Sequence, residues 1–391
     1  MNVPPPLPVA CLRQSAALLA LVGALLEVSA AQVKTPKAAP APAPPAAAAS
    51  LSAASQQLLE AVEARDLKAA KAALARKADP NARDEHGVTA LMMACEDDRD
   101  LPLARLLLDS GADLNAHDVV GFTALMTAAD AGNPEILKLL LERQPAVNAR
   151  DGNGWSALTV AAAGHRPDAA QLLLAAGADY NAADRNGTTV LMLAAAAGES
   201  ELVQALLDAA KAPAATPGQS RPPLNLAARD YNGWTALHHA VSYDHADVAR
   251  LLLAAGADPN TLSRSQLTPL MLAAAGSHLA TAQALADGGA KVDARGPNGL
   301  TALMLAAAAG DSAMVQLLLD HGADPNAHTA GGRTALMDAA FHGDKQVVGA
   351  LLAKGADPNA RTTAGASVLA RAQARPGNDE VIALLQAAGA K

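Results

Sequence analysis

Ten histidines, two cysteines and 38 acidic side chains are the groups in this chain that could hold a metal or move a proton. Their spacing argues against both. His238, His239 and His245 lie close in sequence but have no carboxylate partner at metal-ligand spacing, and no His-Glu-x-x-His helix occurs. There is no phosphate-cradling glycine loop and no nucleophile elbow. The carboxylates are scattered at surface positions set by a repeat, so a paired acid–base site is not indicated. Cys11 and Cys95 cannot build a disulfide framework. Cys95 follows an alanine where other repeats carry Ala-Ala, which predicts a small buried apolar residue and not a reactive thiol. The chain therefore reads as non-enzymatic, with no catalytic residue, no metal and no cofactor.

The elements that carry these groups are copies of one pattern. Gly87-Val88-Thr89-Ala90-Leu91-Met92 returns as Gly121 to Met126, Gly154 to Thr159, Gly187 to Met192, Gly233 to His238, Gln266 to Met271, Gly299 to Met304, Gly332 to Met337 and a degraded Gly365 to Ala370. The interval is about 33 residues almost throughout, a solenoid period. Gly-Ala-Asp-x-Asn closes most units, from Gly111, Gly177, Gly256, Gly322 and Gly355. Together these motifs resemble the ankyrin repeat from about residue 55 to the end. The resemblance implies an all-α ankyrin-repeat solenoid of helix-turn-helix units joined by β-hairpin loops, with capping units at both ends.

Each unit can be read physically. Threonine caps the first helix, and alanine or Pro269 suits its first turn. Leucines such as Leu91, Leu125 and Leu158 point into the stack, and Ala-Ala lets helices approach. The second helix carries a leucine cluster (Leu106–Leu108, Leu139–Leu141, Leu172–Leu174), and glycine stops it in the left-handed conformation. The asparagine is expected to satisfy loop backbone groups. No unit buries its leucines alone, so the ends need polar caps. Residues 51–83, with Gln56, Gln57 and Glu60, read as the N-terminal capping repeat. Arg371, Gln373, Arg375, Glu380 and Gln386 dilute the apolar pattern at the other end. Residues 84–391 form the array, interrupted by an insertion of about 13 residues between Gly187 and Gly233, around 211–223.

The resemblance also implies a concave binding face on which the residue after the hairpin glycine is exposed. Phe122, Trp155, Trp234, Leu267, Leu300 and Arg333 occupy that position, joined by Tyr231 in a hairpin tip and by Tyr243 and Phe341 near the end of the first helix. In a chain only 2% aromatic, this placement marks them as binding anchors. Glu85, Glu96, Asp97 and Asp130 make one end of the face acidic. His238 holds the family's histidine position after Thr-x-Leu, where a structural hydrogen bond is expected.

Composition bounds the partner and the compartment. The net charge of −8 is spread over interspersed charges with no basic stripe, which removes the electrostatic basis for nucleic-acid binding. The uncharged run Ser15–Leu26, ending in Val28-Ser29-Ala30-Ala31, reads as a signal peptide over 1–31, too short for a transmembrane helix. Residues 32–50 form a Pro/Ala-rich linker. The expected protein is a monomeric periplasmic scaffold that binds a protein partner. The alternatives are an immunity-like factor restraining an enzyme or toxin, a secreted effector acting on a host protein, and retention at the inner membrane by an uncleaved segment.

Overall fold

A computed structural model of the protein describes residues 51–212 and 221–391. The expected signal peptide and linker, and residues 213–220 of the insertion, lie outside the described residues. The described chain divides into two compact units, one of residues 51–194, 201–212 and 221–225, the other of residues 195–200 and 226–391.

Helices come in pairs. The first unit carries α1 (Ala53–Glu63), α2 (Leu67–Ala75), α3 (Ala90–Met93), α4 (Leu101–Asp109), α5 (Ala124–Ala131), α6 (Pro134–Glu142), α7 (Ala157–Ala163) and α8 (Pro167–Ala175). Helix α9 (Val190–Ala197) runs across the division, and α10 (Ser200–Lys211) returns to the first unit. The second unit carries α11 (Ala236–Ser242), α12 (Ala246–Ala254), α13 (Pro269–Gly276), α14 (Leu279–Asp287) and α15 (Ala302–Ala309). It continues with α16 (Ser312–Asp320), α17 (Ala335–His342), α18 (Lys345–Ala353), α19 (Val368–Gln373) and α20 (Asp379–Ala387).

Local chemistry sets each helix start. Thr123 Oγ1 accepts from the Met126 amide at 3.3 Å, Thr301 Oγ1 from Met304 at 3.4 Å, and Thr89 Oγ1 from Met92 at 3.2 Å. Losing such a cap costs ~1 kcal/mol. Within each unit the first helices stack on one another, α11 through α13, α15 and α17 to α19 in the second. Alanine pairs with no exposed surface, such as Ala128 and Ala129 or Ala306 and Ala307, permit the close approach. The middle leucine of each cluster (Leu107, Leu140, Leu173, Leu252, Leu318) is fully buried. Truncating one to alanine would cost ~2–5 kcal/mol.

The loops are less regular than the expected β-hairpins. Among the described residues they contain no extended strand, only isolated antiparallel bridges such as Arg83 to Thr89 and His328 to Thr334. A side chain closes most of them. Asp118 Oδ1 accepts from the Val120 and Phe122 amides, and Asp151 Oδ1 from Asn153 and Trp155, at 2.7–2.9 Å. Gly121 shows why glycine is needed at the tip. Its φ is +91°, and a Cβ would lie 3.0 Å from the Asp151 Cα and the Gly152 nitrogen of the next loop.

The asparagines satisfy backbone groups in the following repeat, beyond their own loop. Asn326 Nδ2 donates to the Gly355 carbonyl at 2.9 Å, and its Oδ1 accepts from the Asp357 amide at 2.7 Å. Asn81, Asn148, Asn260 and Asn359 make the same two bonds. At the insertion, Asn181 keeps the pattern by donating to the Pro223 carbonyl and accepting from the Asn225 amide, both at 2.9 Å. The Tyr180 hydroxyl donates to the Pro222 carbonyl beside it. The repeat register therefore resumes as soon as the chain returns from the insertion.

Candidate protein-binding face

In the first unit the residues after the hairpin glycines are half-buried. Phe122 and Trp155 are each partly exposed, with their backbone amides bonded to Asp118 and Asp151. Beside Phe122, at the tip of its loop, Val119 and Val120 are 42% and 54% exposed. These two valines were not among the expected anchors, although no other loop tip carries a pair of branched apolar residues, which was a readable signal. Adjacent loops are tied together by Val119 N–H to the His86 carbonyl, Gly152 N–H to Val120 and Arg185 N–H to Asn153.

The acidic end of this unit needs one correction. Glu85, Glu96 and Asp130 are exposed, but Asp97 is consumed by internal pairing. Its hydrogen bonds to Arg99, and then the Arg65 guanidinium at 2.7 Å, hold its carboxyl well below the usual carboxylate range. Cys95 in the same repeat is fully buried, and burial raises its thiol pKa, which fits the small apolar role expected of it.

In the second unit the same register position behaves differently. Trp234, Leu267 and Leu300 are 7%, 1% and 1% exposed, so they are core residues and not the exposed anchors expected of them. Loop-to-loop spacing does not distinguish the units, since Arg264 N–H donates to the Asn232 carbonyl at 2.9 Å and Ala330 N–H to Asn298 at 2.7 Å, as close as the corresponding bonds of the first unit. The Trp234 ring stacks on His238 (centroids 6.3 Å) and meets His239 edge-on (5.3 Å). His238 is fully buried and accepts from the Thr235 amide at 3.2 Å, the structural bond expected there, and burial drives its pKa down to about 4. His239 Nε2 lies 3.1 Å from Asp230 Oδ2. Burial raises the Asp230 carboxyl, but that bond and the Trp234 and Asn232 amides outweigh it and leave the group below its ordinary value.

Tyr231 and Tyr243 are half-buried, Tyr231 under the Arg264 guanidinium at 4.5 Å and Tyr243 beside His245. Arg333 and Phe341 are brought together around a residue missing from the expected set, Asp338. Its register position holds Leu272 and Leu305 in α13 and α15, both 1% exposed, and a carboxylate there is the signal that was overlooked. The Asp338 side chain is 4% exposed, with Arg333 Nε at 3.6 Å and an Arg371 nitrogen at 3.8 Å. Burial pushes its carboxyl up to about 6, against the pull of Arg333, Arg371 and His342. Arg371 and Arg375 lie 5.0 and 5.8 Å from the Phe341 ring centre, within cation–π range.

Among the described residues no group of three or more His, Cys, Asp or Glu could hold a metal ion, and no helix is long and apolar enough to cross a membrane. What the loops and first helices do offer is half-buried aromatic rings, exposed valines and partly exposed guanidinium groups, the chemistry of macromolecular contact. A comparison with curated proteins found no match. The family model for ankyrin repeats (three copies) matches residues 58–151, 99–184, 143–216, 181–263, 220–296 and 270–362. With these overlapping matches spanning most of its length, the chain belongs to the ankyrin-repeat family.

Proposed function

We propose that the protein is a non-enzymatic scaffold that binds a protein partner through the loops and first helices of its first unit. The observation that supports this most directly is the cluster of Val119 and Val120 at 42% and 54% exposure beside half-buried Phe122 and Trp155. Apolar side chains at a loop tip gain nothing in water, and burying them against a partner contributes about 25 cal/mol per Å². Ankyrin repeats are in general protein-interaction modules, which agrees with this reading. The uncharged run Ser15–Leu26 and the small residues after it support export to the periplasm.

The test is affinity capture from the native host's envelope fraction, comparing wild type with a Val120→Glu, Trp155→Ala variant of unchanged circular dichroism. One protein recovered by wild type and lost with the variant supports the reading. If that protein is an enzyme whose turnover is suppressed only by wild type, the scaffold acts as a restraint on it. Identical recoveries would remove this face as the binding site.

A further inference from the structure

The aromatic–arginine cluster of the second unit carries its own information. Arg371 and Arg375 lie over the Phe341 ring, and Arg333 and Arg371 flank one carboxylate, Asp338. That carboxylate is a poor counter-ion. Both arginine contacts exceed hydrogen-bond distance, and Asp338 Oδ2 and Arg371 Nε are buried with no hydrogen-bond partner. Two nearby acids are engaged elsewhere: Glu380 Oε2 pairs with Lys345 at 3.0 Å, and Asp344 accepts from the Gln346 and Val347 amides at the start of α18. Arg375 is exposed, its guanidinium drawn to the Phe341 ring. The residues of α13 and α15 at the corresponding positions are Leu272, Ala275, Leu305 and Ala308, which add no charge.

We infer that this cluster is the docking site for an acidic segment of a partner protein, an Asp or Glu carboxylate of which bridges Arg371 and Arg375 over the Phe341 ring. A guanidinium offers a planar donor fork that matches a carboxylate bidentately, a geometry Asp338 does not reach from within the core. The positive cluster fits a segment rich in acidic side chains. Protonating Asp338 removes the internal carboxylate that competes for Arg371, so binding tightens as the pH falls through about 6. The charged groups facing Asp338 are Arg333 from its own loop, His342 from α17 and Arg371 from α19; α15 contributes none, and Lys345 of α18 is paired with Glu380.

The inference rests on the protein-binding reading and extends it to a second contact. The probe is a fluorescein-labelled 12-residue peptide of alternating Glu and Leu, followed by anisotropy on the full chain. Wild type should bind it in a salt-sensitive way. An Arg371→Gln, Arg375→Gln variant of unchanged circular dichroism should bind at least tenfold more weakly, and Arg250→Gln, on second helix α12, should bind as wild type does. Equal binding by the Lys-Leu counterpart, no binding, or an unaffected double variant would overturn the inference. So would preferential binding to phosphatidylglycerol vesicles or to a single-stranded oligonucleotide. A partner captured from the envelope that still binds the double variant would sink this inference alone; an empty capture would sink the broader reading.

Discussion

Replacing Asp338 by asparagine should stabilise the protein at neutral pH and leave it unchanged in acid. The side chain is 4% exposed and its two arginine contacts, at 3.6 and 3.8 Å, are too long to be hydrogen bonds. Burial therefore lifts the carboxyl from 3.8 to about 6 in the folded protein. A raised folded-state value means that the native state binds the proton more tightly than the unfolded chain. Its stabilising contribution is complete below about pH 4 and is lost as the pH rises through about 6. The displacement corresponds to ~3 kcal/mol between the two protonation states. Asparagine has the shape and neutrality of the protonated acid, so the variant keeps the acid-side stability at every pH. Urea unfolding of both proteins at intervals from pH 4 to 8 measures the difference. It should be near zero at pH 4 and reach ~2–3 kcal/mol in favour of Asp338→Asn at pH 7.5. Subtracting the two curves cancels groups such as Asp230, whose depressed value gives the opposite slope. A difference that does not vary with pH would refute the reasoning, because it would mean that Asp338 titrates alike in both states.

Other substitutions test the remaining structure. Trp234→Ala removes a ring that is 7% exposed and should cost ~3–5 kcal/mol in urea unfolding, whereas Trp155→Ala, half-buried, should cost less than half of that. Asp293 holds an asparagine position and accepts from the Asp324 amide at 2.9 Å, but a carboxylate has no N–H for the Gly322 carbonyl. Asp293→Asn should therefore gain ~0.5–1.5 kcal/mol, and Asn326→Asp should lose a similar amount, both read from denaturation midpoints. Gln144 ends its second helix at φ +56°, where other repeats place Gly111 or Gly177. Gln144→Gly should raise stability by ~1 kcal/mol despite the added freedom of the unfolded chain, and a lower midpoint would show that the left-handed conformation costs less than supposed.

The repeat itself was legible in the sequence, because helix capping by Thr89 or Thr123, alanine pairs and leucine triplets act within a few residues of one another. Each depends on local spacing, and each stands where the motif put it. Solvent exposure was not legible in the same way. Phe122, Trp155, Trp234, Leu267 and Leu300 share one position in the motif, yet the first two are half-buried and the other three belong to the core. What covers a side chain is the packing of neighbouring repeats, whose residues lie some 33 positions away along the chain. The Asn326 bridge was half-read for the same reason: its chemistry was plain, but its partners Gly355 and Asp357 lie in the next repeat. Asp338 was overlooked because a lone carboxylate in an amphipathic helix reads as surface until Arg333 and Arg371 are seen to enclose it. Sequence by itself determined the repeat and the helix starts within it, since those follow from short-range backbone and packing preferences. Only the tertiary structure decided which aromatics meet water and which charges meet each other, since burial and electrostatics depend on distances that the chain closes by folding.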